Sequence, residues 1–140
     1  VGRNYYTTRN GVLYFHPTMN ERVSKQIGDA DFYDMGHYFR TDTTLHSLIA
    51  GTLYNINMHT GKWKMIGPKK GWKFARDGDV IGNKFYTVET PASLFETDLS
   101  TGAKKLLDDK QFTNAKLIFS DSGKLYGIFQ GGILYEIIIN

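Results

Sequence analysis

Cysteine is absent from the 140 residues. That excludes a disulfide framework, a thiolate nucleophile and a cysteine-bound zinc site. Proline is down to three residues, and no segment holds a sustained helical period of apolar residues, so helices are not expected. No apolar run approaches the length of a membrane-spanning helix, and the first residues, Val1-Gly-Arg-Asn-Tyr-Tyr, lack the apolar core of a signal peptide. The chain is therefore expected to be soluble without a membrane span. Its compartment stays open, because an extracellular protein could have lost its signal before Val1.

Catalytic signatures are missing as well. There is no Gly-x-Ser-x-Gly elbow, phosphate loop or His-Glu-x-x-His pair. The four histidines, His16, His37, His46 and His59, show no metal-ligand spacing. Asp29, Asp31 and Asp34 are spaced like part of a calcium loop but lack its glycine and closing glutamate. Asp108 and Asp109 are adjacent, which on a strand points them to opposite faces. The expectation is a protein that is not an enzyme and carries no cofactor or metal.

What the chain does have is aromatic residues, at 14%, and 15 glycines gathered where turns are expected. That is an all-β profile. Within it one segment recurs four times: Gly11-Val-Leu-Tyr-Phe15, Gly51-Thr-Leu-Tyr-Asn55, Ala92-Ser-Leu-Phe-Glu96 and Gly132-Ile-Leu-Tyr-Glu136, at steps of 40 or 41 residues. Self-similarity at that period marks copies of one supersecondary unit, each too small to bury its apolar face alone.

Polar turns follow the first three copies: Pro17-Thr18-Met19-Asn20, His59-Thr60-Gly61 and Ser100-Thr101-Gly102. Each leads into a short strand, expected at Arg22 to Gly28, Lys62 to Gly67 and Ala103 to Leu107. Upstream of the later copies, Lys116 to Ser120 and Lys124 to Phe129 flank Asp121-Ser122-Gly123 as strand, turn, strand. Lys73 to Arg76, Asp77-Gly78-Asp79 and Lys84 to Glu89 give the same reading. Each unit is thus four strands, named A to D.

The chain reads as a single domain, 1–140, of repeats 1–28, 29–67, 68–107 and 108–140. A β-trefoil needs three such units and a β-propeller stacks them radially. The fourth Leu-Tyr segment favours the propeller, with about three and a half blades. The first blade then lacks its inner strand and the last its outer one. Unpaired edges are pairing templates, so a homo-oligomer is expected to cover them, all the more because the last strand carries the apolar run Ile137-Ile138-Ile139.

Ile66-Gly67-Pro-Lys-Lys-Gly71-Trp72-Lys-Phe74, with Lys116 to Phe129 and Leu134-Tyr135-Glu136, resembles the repeat of the tachylectin family of β-propeller lectins. The resemblance implies a carbohydrate-binding protein with sugar sites between adjacent blades, and glycans or glycoconjugates, N-acetylated hexosamines among them, as partners. On the matching junctions it implies Gly71 and Trp72 at one site, Asp29, Asp31 and Phe32 at a second, and Asp109, Phe112 and Asn114 at a third. Gly-Trp stands only at the first; the other two junctions depart from the family's pattern.

Two other readings come from the residues alone. One is a propeller that acts as a protein-interaction scaffold or as a fragment of a larger ring. The other is polyanion binding by Lys62, Lys64, Lys69, Lys70, Lys73 and Arg76, a stretch with two tryptophans and no acid. The net charge of only +3 points away from nucleic acid. Alternation in Lys62-Trp63-Lys64-Met65 is also what a solvated strand face shows. Tryptophan faces can stack on sugars. For Trp63 the core or strand-face reading leads, and Trp72 stands open between site and core.

Overall fold

The alternation of apolar and polar residues between glycine-bearing turns builds fourteen short strands in a computed structural model. It describes residues 5–17, 24–29, 32, 35–41 and 44–139, and for Tyr5 and residues 35–38 the backbone only. The strands are β1 (Tyr5–Arg9), β2 (Val12–His16), β3 (Lys25–Ile27), β4 (Met35–Arg40), β5 (Leu45–Ile49), β6 (Thr52–Ile56), β7 (Trp63–Ile66), β8 (Ala75–Ile81), β9 (Lys84–Glu89), β10 (Ser93–Asp98), β11 (Lys104–Asp108), β12 (Ala115–Asp121), β13 (Lys124–Phe129) and β14 (Leu134–Ile137). They form four antiparallel sheets in sequence order: β1-β2-β3, β4-β5-β6-β7, β8-β9-β10-β11 and β12-β13-β14. These are the blades of a β-propeller, and the trefoil alternative falls with them.

The repeat motif is strand C of each blade, β2, β6, β10 and β14. Two-residue turns at Asn10-Gly11 and Ala50-Gly51 have both residues at positive φ (50° and 75°, 47° and 76°). That is the hairpin turn whose twist matches the flanking strands. Between strands C and D, blades two and three repeat one turn. Asn57 Oδ1 accepts from His59 N and Thr60 N at 2.9 and 3.0 Å, and Asp98 Oδ1 accepts from Ser100 N and Thr101 N at 2.9 and 3.1 Å. Each turn closes on a glycine donating to the carbonyl of that Asn or Asp.

Those glycines are also where blades meet. The backbones of Gly67, at the end of β7, and Gly102 touch so closely that a Cβ on Gly102 would lie 2.5 Å from Gly67 Cα. The pair Gly28 and Gly61 repeats the contact one blade earlier.

One expected turn is instead strand. Asp77-Gly78-Asp79 lies inside β8, and β8 turns into β9 at Gly82-Asn83. The two aspartates do work elsewhere: Asp77 Oδ2 accepts from Ile118 N at 2.7 Å and Asp79 Oδ2 from Ser120 N at 2.6 Å. Carboxylates thus satisfy backbone donors of β12, the inner strand of the next blade. The turn Thr18-Met19-Asn20 and the start of the strand expected from Arg22 lie outside the described residues.

Buried side chains gather between the blades. Leu13, Ile27, Phe32, Leu45 and Ile56 pack at the first junction, Leu53, Ile66, Trp72, Phe85 and Leu99 at the second, and a cluster around Leu94, Phe112, Ile118 and Leu125 at the third. A blade therefore has no core of its own; its neighbours supply it.

Candidate functional site

Each junction is locked by the same device. Phe32 N donates to Gly11 O at 2.8 Å, Trp72 N to Gly51 O at 2.9 Å and Phe112 N to Ala92 O at 3.0 Å. The aromatic residue leading into one blade so hangs on the B–C turn of the blade before, its ring buried between the two. The three stand 40 residues apart, a regularity readable in the sequence once the Leu-Tyr repeat is aligned.

That geometry corrects the sugar-platform reading of Trp72. The ring is 1% exposed and its Nε1 donates to Thr97 Oγ1 at 3.0 Å. No face is left for a pyranose, because Gly67 approaches the ring edge so closely that a Cβ there would lie 2.9 Å from it. Phe32 and Phe112 are likewise buried, at 2% and 6%, so neither offers a stacking face. Gly71 is half-buried, with its carbonyl accepting from Lys104 Nζ at 3.0 Å. Asp29, Asp109 and Asn114 are exposed near their junctions. Asp31 and Asp34 lie outside the described residues, as does the side chain of His37.

A buried ion pair that sequence reasoning missed stands beside Trp72. Glu89, 5% exposed, pairs with Lys104 Nζ at 2.5 Å and accepts from Thr87 Oγ1 at 3.3 Å. The Lys104 ammonium also lies 4.3 Å from the Phe95 ring centroid. Its residues come from β9, β10 and β11, and nothing local in the sequence joins them.

The basic stretch divides. Lys62, Lys64, Lys69, Lys70 and Lys73 are exposed. Arg76 instead clips two blades together, Nη2 donating to Phe112 O at 2.8 Å and Nη1 to Thr113 O at 3.4 Å. Trp63 is the exposed tryptophan, at 50%, its ring edge-on to Tyr54 at 5.3 Å. With Phe32, Ile49, Tyr54 and Ile56 it lines a cavity of about 100 Å³.

The titratable groups are engaged in structure. Lys84 bridges Asp98 at 3.1 Å and Glu96 at 3.3 Å. The Lys84 hydrogen bond and turn amides hold the Asp98 carboxyl below its usual range. Burial, then the adjacent Glu96 carboxylate, push the Tyr86 phenol up to about 12. The amides of Gln111 and Lys110 lower Asp108. Among the described residues no group of three or more His, Asp or Glu could hold a metal ion, and no helix is long and apolar enough to cross a membrane.

A concavity lies beside blade four. A groove of about 650 Å³ is lined by Leu94, Leu107, Asp108, Gln111 and Phe112 on one side and by Phe129, Tyr135, Glu136 and residues 137–139 on the other. Along the same flank Ile133, Leu134, Tyr135 and Ile138 are 51%, 57%, 52% and 70% exposed. Adjacent on β14, Leu134 and Tyr135 face opposite sides of the sheet, and of the four only Tyr135 and Ile138 line the groove.

No protein-family model matches the chain, and no curated protein matches it. Solved structures do. The N-terminal domain of Nup159 superposes with a TM-score of 0.60 at 10% identity, over 96% of this chain and 40% of that one. The computationally designed Ika4 protein superposes with 0.60 at 11%, over 100% of this chain and 94% of that one. The Neurospora crassa Pan2 WD40 domain gives 0.56 at 8%, over 97% and 46%. Against Nup159 and Pan2 the chain spans less than half of the matched protein. Likeness at these identities defines a fold, and that fold is the β-propeller.

Proposed function

We propose that this chain is a non-catalytic propeller scaffold that binds another polypeptide along the uncovered flank of its fourth blade. The observation that carries the reading is Leu134. Its counterparts Leu13, Leu53 and Leu94 are 0%, 0% and 3% exposed, whereas Leu134 is 57% exposed on β14, the strand whose Tyr135 and Glu136 line the groove. Exposed apolar surface rimmed by polar residues is a common form of a protein-binding site.

Parallel selection on a displayed random-peptide library and screening on a glycan array test this. The scaffold reading expects peptides to be enriched and their binding to be lost in Leu134→Asp. Glycan binding with no peptide enriched overturns it.

A second reading, carbohydrate binding, is favoured by Trp63 rather than Trp72. Its half-exposed ring beside Tyr54 and the small cavity is the shape on which a sugar ring stacks. Trp63→Ala would then remove glycan binding and leave peptide binding intact.

A further inference from the structure

We propose that the first junction holds a pocket for a small molecule bearing a phenyl ring, and that this ring takes the place which the indole of Trp72 fills at the second junction. The repeat aligns the two places position by position. Phe32 N donates to Gly11 O as Trp72 N donates to Gly51 O. Leu45 faces Ile56 as Phe85 faces Thr97, and on the other side Ile56 faces Trp63 as Thr97 faces Lys104. Ile49 faces Thr52 as Glu89 faces Ser93, and Tyr54 faces Met65 as Phe95 faces Leu106.

At the second junction these positions are filled and partly polar. The Trp72 indole is buried and donates to the Thr97 hydroxyl, while Lys104 crosses the Phe95 ring to pair with Glu89. At the first junction every polar member of that set is replaced. Ile49 stands for Glu89, Ile56 for Thr97 and Trp63 for Lys104, and the buried aromatic residue is Phe32, one ring smaller than Trp72. What remains is the cavity of about 100 Å³ walled by Phe32, Ile49, Tyr54, Ile56 and Trp63. It shares no residue with the groove beside blade four.

Size and lining name the occupant. A closed apolar cavity of roughly 150 Å³ takes up benzene. The cavity here is somewhat smaller but bounded on one side by the half-exposed Trp63, so a single six-membered ring fits with its substituent at the mouth. Ile56, fully buried, stands where Thr97 receives the indole N–H. A ring nitrogen or hydroxyl carried to that depth would lose its water and gain no partner there. The pocket therefore selects an all-carbon ring over its polar isosteres. A pyranose, with hydroxyls around its ring, meets the same cost inside, so a sugar stacked on Trp63 would lie outside the cavity.

The test titrates the full chain by calorimetry with benzene and with pyridine, which has the same shape and one ring nitrogen, at alkaline pH where pyridine is neutral. Benzene should bind saturably at one site, and pyridine at least about tenfold more weakly. Ile56→Thr, which supplies a hydroxyl donor, should narrow that gap to about threefold or less. Phe32→Trp together with Ile56→Thr copies the second junction and should abolish benzene binding while circular dichroism stays unchanged. Ile49→Phe fills the same space from β5 and takes over as the filled variant if that pair of substitutions does not fold. No saturable binding of benzene to the native chain overturns the inference. So does pyridine binding as tightly as benzene, or benzene binding at native affinity to a folded variant whose cavity is filled.

Discussion

In blade three Leu94 is 3% exposed, and 40 residues later, at the same place in blade four, Leu134 is 57% exposed. The flanking chemistry is alike: Phe95 and Tyr135 follow, then Glu96 and Glu136, bound by Lys84 and Lys124. What differs is the surroundings. Leu94 has a complete sheet, with β11 paired to its strand, and the Phe112 lock of the next blade on its turn. Among the described residues, Leu134 has neither an outer strand nor an aromatic lock on Gly132 O. Burial in a repeat protein is thus a property of the neighbour, and where no neighbouring strand is described the apolar face is exposed.

The largest expected effect lies at a complete junction. Trp72→Ala should destabilise the fold by about 3–5 kcal/mol, through lost transfer energy and a cavity, as read by urea unfolding. A loss under about 2 kcal/mol would mean the junction collapses around the gap and that the lock is not what holds the blades. Next comes the leucine pair itself. Leu94→Ala should cost about 2–5 kcal/mol, and Leu134→Ala should stay within about 0.5 kcal/mol. Equal costs would erase the distinction between the two blades.

The third concerns blade two, where His46 is 3% exposed with its ring stacked 5.4 Å from Phe39. Burial lowers its pKa from 6.5 to about 4. The folded state therefore favours the neutral ring, and this contribution is whole above pH 6.5 and lost as pH falls toward 4. Wild-type stability should drop by up to about 3 kcal/mol more than that of His46→Leu across this window. Parallel urea midpoints at pH 7 and 4.5 measure the difference, and identical pH slopes would place a solvated histidine there.

The smallest effect separates two glycines of similar backbone. Gly102 has φ 75° and meets Gly67, whereas Gly132 has φ 78° and open space around its Cβ position. Both alanine substitutions carry the left-handed backbone cost of about 1–2 kcal/mol, and Gly102→Ala should cost about 2 kcal/mol more, because backbone cannot yield to the added methyl. Thermal melts of the two variants compare them.

The sequence made the architecture legible because the Leu-Tyr motif marks strand C, which recurs once in each of the four blades. The turns after it were legible for a local reason: Asn57 and Asp98 cap amides two and three residues on. Asp77-Gly78-Asp79 misled because its composition is that of a turn, while its carboxylates serve the backbone of β12, some 41 residues away. Trp72, open between site and core in the sequence, is buried between blades, and Trp63 stands on an exposed strand face, for a similar reason. Alternation tells that faces differ, and only the neighbouring blade decides which face is covered. The ion pair of Glu89 and Lys104 joins strands separated by the whole of β10, so no spacing announces it.

Hydrogen–deuterium exchange resolved over two segments tests the central claim most directly. In the free chain, residues 94–97 should be protected and residues 134–137 should exchange faster, their outer edge unpaired. Protection of 134–137 equal to that of 94–97 in the free chain at low concentration would contradict the account that burial of the motif leucine depends on its neighbouring strand.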